Sequence, residues 1–370
     1  MPVRVVETVA DLEGLETPWR RLSQSEPSSI FSSFDYVRLA WQHFRQPGDR
    51  LFIPVLSDAG GEVTAIAPFC VRPGRSRGIP HRSIQFIAEW EGDRPIIPCR
   101  TGPEAAWREI FSFLARKRRD WDRIELAEQP VDGPEGRGWS CLEQPGLIWE
   151  QEPGPVGYYV PASGSWDDYV GRLGSHTRHE WRRHSRRLSG LPGGFVIERI
   201  FAAERSREAV DRFIALEQSG WKGEARIGVS KDEVHRGFYV DLLTQLAARD
   251  QAATFFLTSG GQDLAGAMLF LFGDVVYFRN VAYSSAFSSY SPGTVLGAEV
   301  FRFGFERGCR EIDMLGLHAE GKAQRHKTEW AKGLRPTVQL TGHRKTGRLL
   351  PLVVARALRR AFGDRRPARG

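Results

Sequence analysis

The chain has 370 residues, of which 41% are hydrophobic and 11% aromatic, and its formal net charge is +7. This composition is typical of a globular protein long enough for two domains, and it excludes a disordered or fibrous chain. Because no run of about 18 apolar residues occurs, no membrane-spanning helix is expected. Four widely spaced cysteines without a CxxC pair, and an N-terminus without an apolar signal core, predict a cytoplasmic protein with reduced thiols.

The positive charge is concentrated at the C-terminus. Residues 341–370 contain nine basic residues and one acid, so the preceding 340 residues sum to about −1. This distribution disfavours nucleic acid as the partner of the body of the protein. Residues 349–362 (LLPLVVARALRRAF) predict a short apolar and basic helix. Either it makes a peripheral contact with anionic lipid or an acidic partner, or it docks on the body.

The first half of the chain predicts an α/β unit, since short apolar runs alternate with segments of helical periodicity. Gly60-Gly61 marks the turn of a hairpin within it. In chain order the predicted elements are a strand at VRVVET, helices near 9–23 and 33–45, the hairpin strands LFIPVLS and VTAIAPFCVR, a strand at IQFIAE, a helix near 103–119 and a strand at RIELAE.

The second half repeats this scheme. Its elements are a strand at FVIERIF, helices near 204–219 and 232–249, a Gly-Gly hairpin of TFFLTS and LAGAMLFLFG, and a strand at VVYFRNVAY. The similarity predicts an internal duplication, with chance similarity of two hairpins as the alternative. Pro and Gly concentrate in QPGLIWEQEPGPVGYY, near 145–160. The predicted domains are therefore 1–155 and 156–345, followed by a basic helix or tail at 346–370.

A strand, a loop and a helix follow one another in VVYFRNVAYSSAFSSYSPGTVL, residues 275–296. Ser291 suits the N-cap, and Pro292 suits the first helical position, where an N–H has no helical partner. Gly293 leaves the backbone open to close approach. The free amides of such a helix start favour anions, phosphates among them. An ordinary helix start is the alternative, because the loop matches neither GxxxxGK[ST] nor GxGxxG.

Five segments of the second half occur in the order found in a known family: TRHEWRRHSRRL, LEQSGWKG, FYVDLL, AYSSAFSSYSPGTVL and HKTEWAKG. Together they resemble GNAT acyltransferases, in particular the tandem-domain FemAB-like proteins often labelled cellulose-biosynthesis (CelD-like) acetyltransferases. The resemblance implies an α/β fold of two GNAT-like (acyl-CoA N-acyltransferase-like) domains in tandem. It also implies that the pyrophosphate of acyl-CoA lies on Tyr290, Ser291, Pro292, Gly293 and Thr294. The first half has no counterpart of this loop, so we expect a single cofactor site, in the second domain.

Acyl transfer to an amine or hydroxyl needs a proton acceptor near the attacking atom. Glu217 and Lys222 project from the end of a predicted helix in LEQSGWKG and are candidate catalytic residues. Trp221 and Tyr283 are candidate substrate contacts. The alternative is that Glu217 and Lys222 are surface charges and Trp221 anchors the core.

HKTEWAKG supplies two further candidates. By resemblance, Lys327 stabilises negative charge at the acyl carbonyl or at an acceptor phosphate. His326 stands where the family has an aromatic residue, which removes a stacking group and adds one that titrates near neutral pH, so it remains a candidate substrate contact. Asp313, at the end of a predicted strand, is either another base or a carboxylate that caps the loop.

The segment SHTRHEWRRHSRRL, residues 175–188, predicts a helix with an apolar face and a line of arginines. His179 and His184 diverge by roughly 140° around such a helix, so they do not share a metal, and no metal site is expected. Three interpretations remain open. The helix presents a solvated face with internal salt bridges, it contacts an anionic acceptor or cofactor through Arg178 and Arg182, or it binds nucleic acid.

The resemblance implies an acyltransferase that moves an acyl group, with acetyl-CoA as the favoured donor, to an amine or hydroxyl of a small or saccharide-type acceptor. By resemblance, its setting is exopolysaccharide or envelope biosynthesis. Transfer is expected to be direct, because no Ser-His-Asp or Cys-His pattern is visible. Two alternatives stand beside this one: a FemAB-type peptidyltransferase that uses aminoacyl-tRNA, and a non-catalytic scaffold with the same fold.

Overall fold

The computed structural model describes residues 2–24, 29–117, 120–131, 146–219, 228–317, 327–345 and 347–355. The chain forms two compact units. The first unit comprises Met1–Val37, Arg45–Gly154 and Thr337–Gly370, and the second unit comprises Arg38–Phe44 and Pro155–Pro336. Among the residues described, no helix is long and apolar enough to cross a membrane.

The first unit combines two β-sheets with short helices. Its helices are α1 (Val9–Glu13), α2 (Glu16–Leu22) and α4 (Pro103–Arg116). Helix α3 (Phe34–Phe44) begins in the first unit, and its residues from Arg38 onward belong to the second unit. The strands of the first unit are β1 (Val3–Val6), β2 (Arg50–Leu51), β3 (Ile53–Ser57), β4 (Val63–Ile66), β5 (Phe69–Ser76), β6 (Ile79–Phe86), β7 (Arg123–Pro130), β8 (Leu147–Pro153) and β16 (Thr337–Arg344). The strand orders are β1-β3-β4 in one sheet and β2-β5-β6-β7-β16-β8 in the other.

The predicted hairpin of the first unit differs from the observed one in its second strand. VTAIAPFCVR forms two strands, of which β4 pairs with β3 whereas β5 pairs with β6 in the larger sheet. Pro68 lies between them and has no N–H to donate to a ladder, so the pairing changes partner at this residue.

The second unit is built on one seven-stranded sheet. Its strands are β9 (Val156–Pro161), β10 (Val196–Ile200), β11 (Ala252–Ser259), β12 (Gln262–Phe272), β13 (Val275–Tyr283), β14 (Glu311–Leu317) and β15 (Gly333–Arg335), in the order β10-β11-β12-β13-β14-β9-β15. Its helices are α5 (Trp166–Arg172), α6 (Ser175–Ser189), α7 (Ser206–Gln218), α8 (Glu233–Ala247) and α9 (Pro292–Glu306).

Helices cover both faces of this sheet. On β11, Phe255 packs against Phe303 of α9, with ring centroids 5.1 Å apart. The next residue, Phe256, lies with Phe213 and Leu216 of α7 around Gly266. Because consecutive side chains of a strand point to opposite faces, α9 and α7 lie on opposite sides of the sheet.

The two large sheets share one arrangement of strands, as the predicted duplication implies. The parallel pair β6 and β7 is followed across the sheet by β16 and β8, and the parallel pair β13 and β14 by β9 and β15. Residues 337–345 were predicted to belong to the second domain, whereas β16 pairs with β7 and β8 of the first unit. A single residue, Pro336, separates β15 from β16, so no change in composition marks this crossing.

The start of the apolar and basic C-terminal segment is helical over 350–355. Leu349 and Val353 are buried, at 3% and 5% exposure. The burial of these two side chains agrees with the docked alternative for that part of the segment. Residues 356–370 lie outside the described residues, and contact with anionic lipid stays a prediction.

Candidate functional site

The two central strands of the second unit separate from each other along their length. Strand β13 pairs in parallel with β14 only from Val275 to Tyr277 and then continues to Tyr283. On its other side, Met268 is opposite Asn280 and Leu269 is opposite Phe278, so Arg279 is the extra residue of a β-bulge.

The bulge changes which side chains of β13 face α9. Phe278 packs on Phe301 of α9, with ring centroids 6.1 Å apart. Simple alternation would next place residue 280 on that face, but Val281 and Tyr283 lie there instead. A Cβ at Gly293 would be 3.9 Å from Val281 Cγ2 and 3.4 Å from Tyr283 Cδ1. The start of α9 therefore lies against the separated end of β13.

The loop before α9 contains a strained residue. A 3₁₀ turn, Ser285–Tyr290, leads into Ser291, whose φ of 51° and ψ of 50° are left-handed. Ser291 occupies the predicted N-cap position through its backbone, since its carbonyl accepts from the Thr294 N–H at 3.0 Å, and its side chain makes no capping hydrogen bond there. A non-glycine residue in this conformation costs roughly 1–3 kcal/mol and is typical of ligand-binding turns.

The beginning of α9 suits a bound anion. Ser291, Gly293 and Thr294 are half-buried, whereas Pro292 and Val295 are buried. The apolar residues at the start of α9 are therefore buried, while the polar residues of its first turn stay partly accessible. Left-handed and helical residues in succession form a concave arrangement of N–H groups, and the helix dipole adds partial positive charge. The residues present therefore fit a phosphate group, as the sequence predicts.

Arg187 contacts this loop, although it was not among the predicted site residues. Its NH1 donates to the Ser289 carbonyl at 2.8 Å, and its guanidinium lies 4.9 Å from the centre of the Tyr290 ring. The side chain is otherwise exposed and adds a positive charge beside the loop. The sequence carried no signal that distinguishes Arg187 from the other arginines of this helix.

The two arginines predicted to contact substrate lie elsewhere on α6. Arg178 donates to the carbonyls of Val170 and Gly171, so it caps the C-terminus of α5. Arg182 is exposed, and its carbonyl accepts from Arg186 Nε at 3.4 Å. The structure does not bring Arg178 or Arg182 to the loop before α9.

The opposite face of α6 packs into the core. Thr177 and Leu188 are buried there, and Trp181 lies edge-on to Trp330 at 6.3 Å. His184 is also buried, which the sequence analysis did not anticipate. Burial, with a smaller contribution from the neighbouring Arg183, lowers the pKa of His184. The histidine is therefore part of the packed face.

Glu217 is buried at the end of α7, at 1% exposure. Its Oε2 accepts a hydrogen bond from the Ser230 amide at 2.9 Å. Gly228 has a φ of 85° and approaches so closely that a Cβ there would be 2.5 Å from Glu217 Oε1. The surface-charge alternative is wrong for Glu217. Trp221 and Lys222 lie outside the described residues.

Asp313 accepts hydrogen bonds where the parallel pairing of β13 with β14 ends. It is 2% exposed. Its Oδ1 accepts from the Leu315 N–H at 2.8 Å, and its Oδ2 accepts from Arg335 NH1 at 3.0 Å. Arg335 also pairs with Glu311. These contacts match the capping alternative given for Asp313, and its role as a base stays a prediction.

Lys327 donates hydrogen bonds to β14 where the strand is irregular. Its Nζ donates to the carbonyls of Met314, Leu315 (3.0 Å) and Gly316 (3.3 Å). Leu315 has a φ of 62°, and the pairing of β14 with β9 shifts register at this point. The ammonium therefore stabilises a bulged strand end, and its predicted contact with an acyl carbonyl or acceptor phosphate stays untested. His326 lies outside the described residues.

The replacement Lys327→Met is expected to lower the free energy of unfolding by about 2 kcal/mol, because hydrogen bonds to a charged group each contribute roughly 1.5–3 kcal/mol. The measurement is chemical denaturation followed by circular dichroism. Lys332→Met is the matched control, since Lys332 is exposed on the same segment. Equal stability of both variants would show that the three carbonyl contacts are not stabilising.

Comparisons with known proteins agree with the fold. Residues 175–328 match the family model described as an acetyltransferase (GNAT) domain. No curated protein matches the sequence. The structure resembles FemX with a TM-score of 0.65 at 12% identity, covering 98% of this chain and 100% of that one.

Two further solved structures are similar. The C-terminal domain of a putative lysylphosphatidylglycerol synthetase from Agrobacterium fabrum gives a TM-score of 0.56 at 12% identity, covering 94% of this chain and 97% of that one. L-PGS from Bacillus licheniformis gives 0.53 at 13% identity, with coverage of 95% and 96%. At these identities the similarity establishes the fold. The predicted α/β fold of two GNAT-like domains in tandem is confirmed.

Proposed function

We propose that the protein is an acyltransferase that uses acyl-CoA, acetyl-CoA foremost, as its donor. The match of residues 175–328 to the GNAT acetyltransferase family model and the tandem GNAT-like fold support this proposal. The start of α9 carries this proposal. There the left-handed Ser291 and the accessible first turn lie beside the end of β13. Tyr290 to Thr294 would hold the pyrophosphate of the donor, and Arg187 would add a positive charge next to it.

Bound acyl-CoA supplies an acyl group activated as a thioester. The acceptor is an amine or hydroxyl of a small or saccharide-type molecule. Its nitrogen or oxygen forms a bond to the acyl carbon while the thioester C–S bond breaks, so a proton must be removed from the attacking atom and CoA leaves as the thiol. We assign the proton acceptor to Glu217, whose carboxylate is oriented by the Ser230 amide. The resemblance to CelD-like acetyltransferases supports a role in exopolysaccharide or envelope biosynthesis.

A side-chain hydrogen bond in the first unit supports the proposal that the donor binds only in the second unit. There β6 and β7 pair in parallel only at Ser83 and Ile84, after which they separate. Glu89 Oε1 accepts the Ala127 N–H at 2.6 Å beyond this point. The Glu89 carboxyl group therefore occupies an amide of β7 where the strands separate, and a donor would have to displace it.

Calorimetric titration of the full-length protein with acetyl-CoA and longer acyl-CoAs tests the donor class. We expect a dissociation constant between about 1 μM and 1 mM, the range of ordinary enzyme substrates. The chain length that binds most tightly identifies the acyl group. The absence of binding by every acyl-CoA would contradict the proposed donor.

The replacement Arg187→Gln is expected to weaken acetyl-CoA binding by about tenfold. It removes a charge beside the loop and the hydrogen bond to the Ser289 carbonyl, and a charge-assisted bond contributes roughly 1.5–3 kcal/mol. Titration calorimetry measures the change. Arg302→Gln is the control, because Arg302 lies exposed on α9 in a pair with Glu306. If both variants bind equally well, Arg187 has no part in donor binding.

An aminoacyl-tRNA donor is the second candidate, favoured by one observation. Besides Arg187, three exposed arginines lie on α6, the helix that adjoins the loop: Arg182, Arg183 and Arg186. Filter binding with aminoacyl-tRNA at physiological salt separates the two donors. Under the leading proposal we expect weak binding, and tight binding that falls steeply with salt would favour RNA. A non-catalytic scaffold is favoured if no donor binds and vesicles retain the protein through its C-terminal segment.

A further inference from the structure

The first unit contains a cleft of about 420 Å³ that the proposed function does not use. The β5–β6 hairpin forms one side, and single residues from the start of β7 and from the C-terminal segment complete it. Its charged and polar lining side chains are Arg75, His81, Arg82, Asp122 and Arg348. The volume is within the range of small-molecule sites.

The buried carboxylate of Asp122 accepts hydrogen bonds from two arginines of this cleft, Arg82 and Arg348. Asp122 is 4% exposed. Its Oδ2 accepts from the Arg82 amide at 2.8 Å and from Arg82 Nε at 3.2 Å. Its Oδ1 accepts from Arg348 Nε, also at 3.2 Å. Because these bonds use Nε, the terminal nitrogens of both guanidinium groups are available to a ligand beside them.

The charge of the lining matches that of a phosphate ester. Arg75, Arg82 and Arg348 against Asp122 leave the lining with a net charge of +2. His81, 4% exposed, adds a neutral imidazole, since burial and then the nearby Arg123 lower its pKa. A phosphate monoester carries about −1.5 to −2 at pH 7.

We propose that this cleft binds the phosphate group of a phosphate-bearing molecule through Arg82 and Arg348, with Arg75 at its rim. Guanidinium groups present pairs of N–H donors in a planar fork that matches phosphate oxygens. Asp122 fixes two such forks before the ligand arrives, so little side-chain entropy is lost on binding. The negative charge of Asp122 is offset by the two arginines it holds.

Two sources present the same phosphate chemistry: a soluble phosphate ester and the headgroup of an anionic lipid. Arg348 directly precedes the apolar residues Leu349 and Leu350. The experiment therefore includes both sources, with glycerol 3-phosphate as the soluble probe and phosphatidic acid as the lipid probe.

Histidine-selective NMR of the full-length protein tests the site, because His81 lines the cleft. The His81 resonance is assigned by comparison with His81→Gln. Inorganic phosphate and then glycerol 3-phosphate are titrated at constant ionic strength. We expect the His81 resonance to shift saturably. Arg348→Gln should weaken this binding about tenfold, since a charge-assisted bond is lost.

Arg100→Gln is the matched control. Arg100 is an exposed arginine of the same unit that pairs with Asp58 at 3.2 Å, and it should leave the binding unchanged within about twofold. Vesicles of phosphatidylcholine with and without phosphatidic acid form the second arm. If only those with phosphatidic acid shift the His81 resonance, the ligand is a lipid. A His81 resonance that no probe shifts, or equal binding by wild type and Arg348→Gln, would overturn the site.

Discussion

The replacement Gly293→Glu is expected to weaken acetyl-CoA binding by more than about 100-fold while the protein stays folded. The new carboxylate would lie in the first turn of α9, where the donor pyrophosphate is proposed to bind. Two like charges about 4 Å apart near a protein surface repel by about 4 kcal/mol. The same carboxylate stabilises a helix N-terminus by roughly 0.3–1 kcal/mol, so the melting temperature should hold or rise slightly.

Gly293→Ala separates charge from size in this test. Its methyl group would meet Tyr283 Cδ1 at 3.4 Å and Val281 Cγ2 at 3.9 Å, which are tight and ordinary contacts respectively. We expect binding within a few-fold of wild type by titration calorimetry, and an unchanged melting temperature. If Gly293→Glu binds acetyl-CoA as tightly as wild type, the donor lies elsewhere, even though the wild-type titration would still establish its class.

The local sequence pattern predicted the helices and strands of the fold, but it predicted the pairing between strands less well. Alternation and Gly-Gly turns predicted both hairpins, and the helix after the Ser-Pro-Gly turn begins at Pro292. The partner of a strand depends on residues distant in sequence. This is why the change of sheet at Pro68, and the return of β16 to the first unit, were not predicted.

In the candidate site too, features that depend on neighbouring residues in the sequence were predicted, and features that depend on contacts between distant residues were not. The Ser291–Thr294 turn was predicted because its chemistry lies in four consecutive residues. Arg187 was missed, and Arg178 chosen, because the choice depends on how α6 is rotated against α9, and five arginines on one helix give no local signal for that rotation. Lys327 likewise meets a bulge at Leu315, which no sequence pattern marked.

The replacement Glu217→Gln is expected to lower kcat by about 10²–10⁴-fold, the usual contribution of a general base, with little change in KM for acetyl-CoA. Glutamine has nearly the same shape and keeps an oxygen that accepts the Ser230 N–H, so the fold should be retained. It cannot take up the proton of the attacking amine or hydroxyl. The measurement is steady-state acetyl transfer at varied acetyl-CoA concentration, which gives kcat and the KM for acetyl-CoA separately.

Glu299→Gln is the control for this experiment. Glu299 is a half-buried carboxylate of α9 whose pKa burial raises, and it lies 4.0 Å from Arg199. Its replacement should leave kcat within about twofold of wild type. If Glu217→Gln instead keeps full activity while its free energy of unfolding falls, the carboxylate is a structural partner of the Ser230 turn. The proton acceptor would then have to be sought in another residue, with Asp313 the next to be tested.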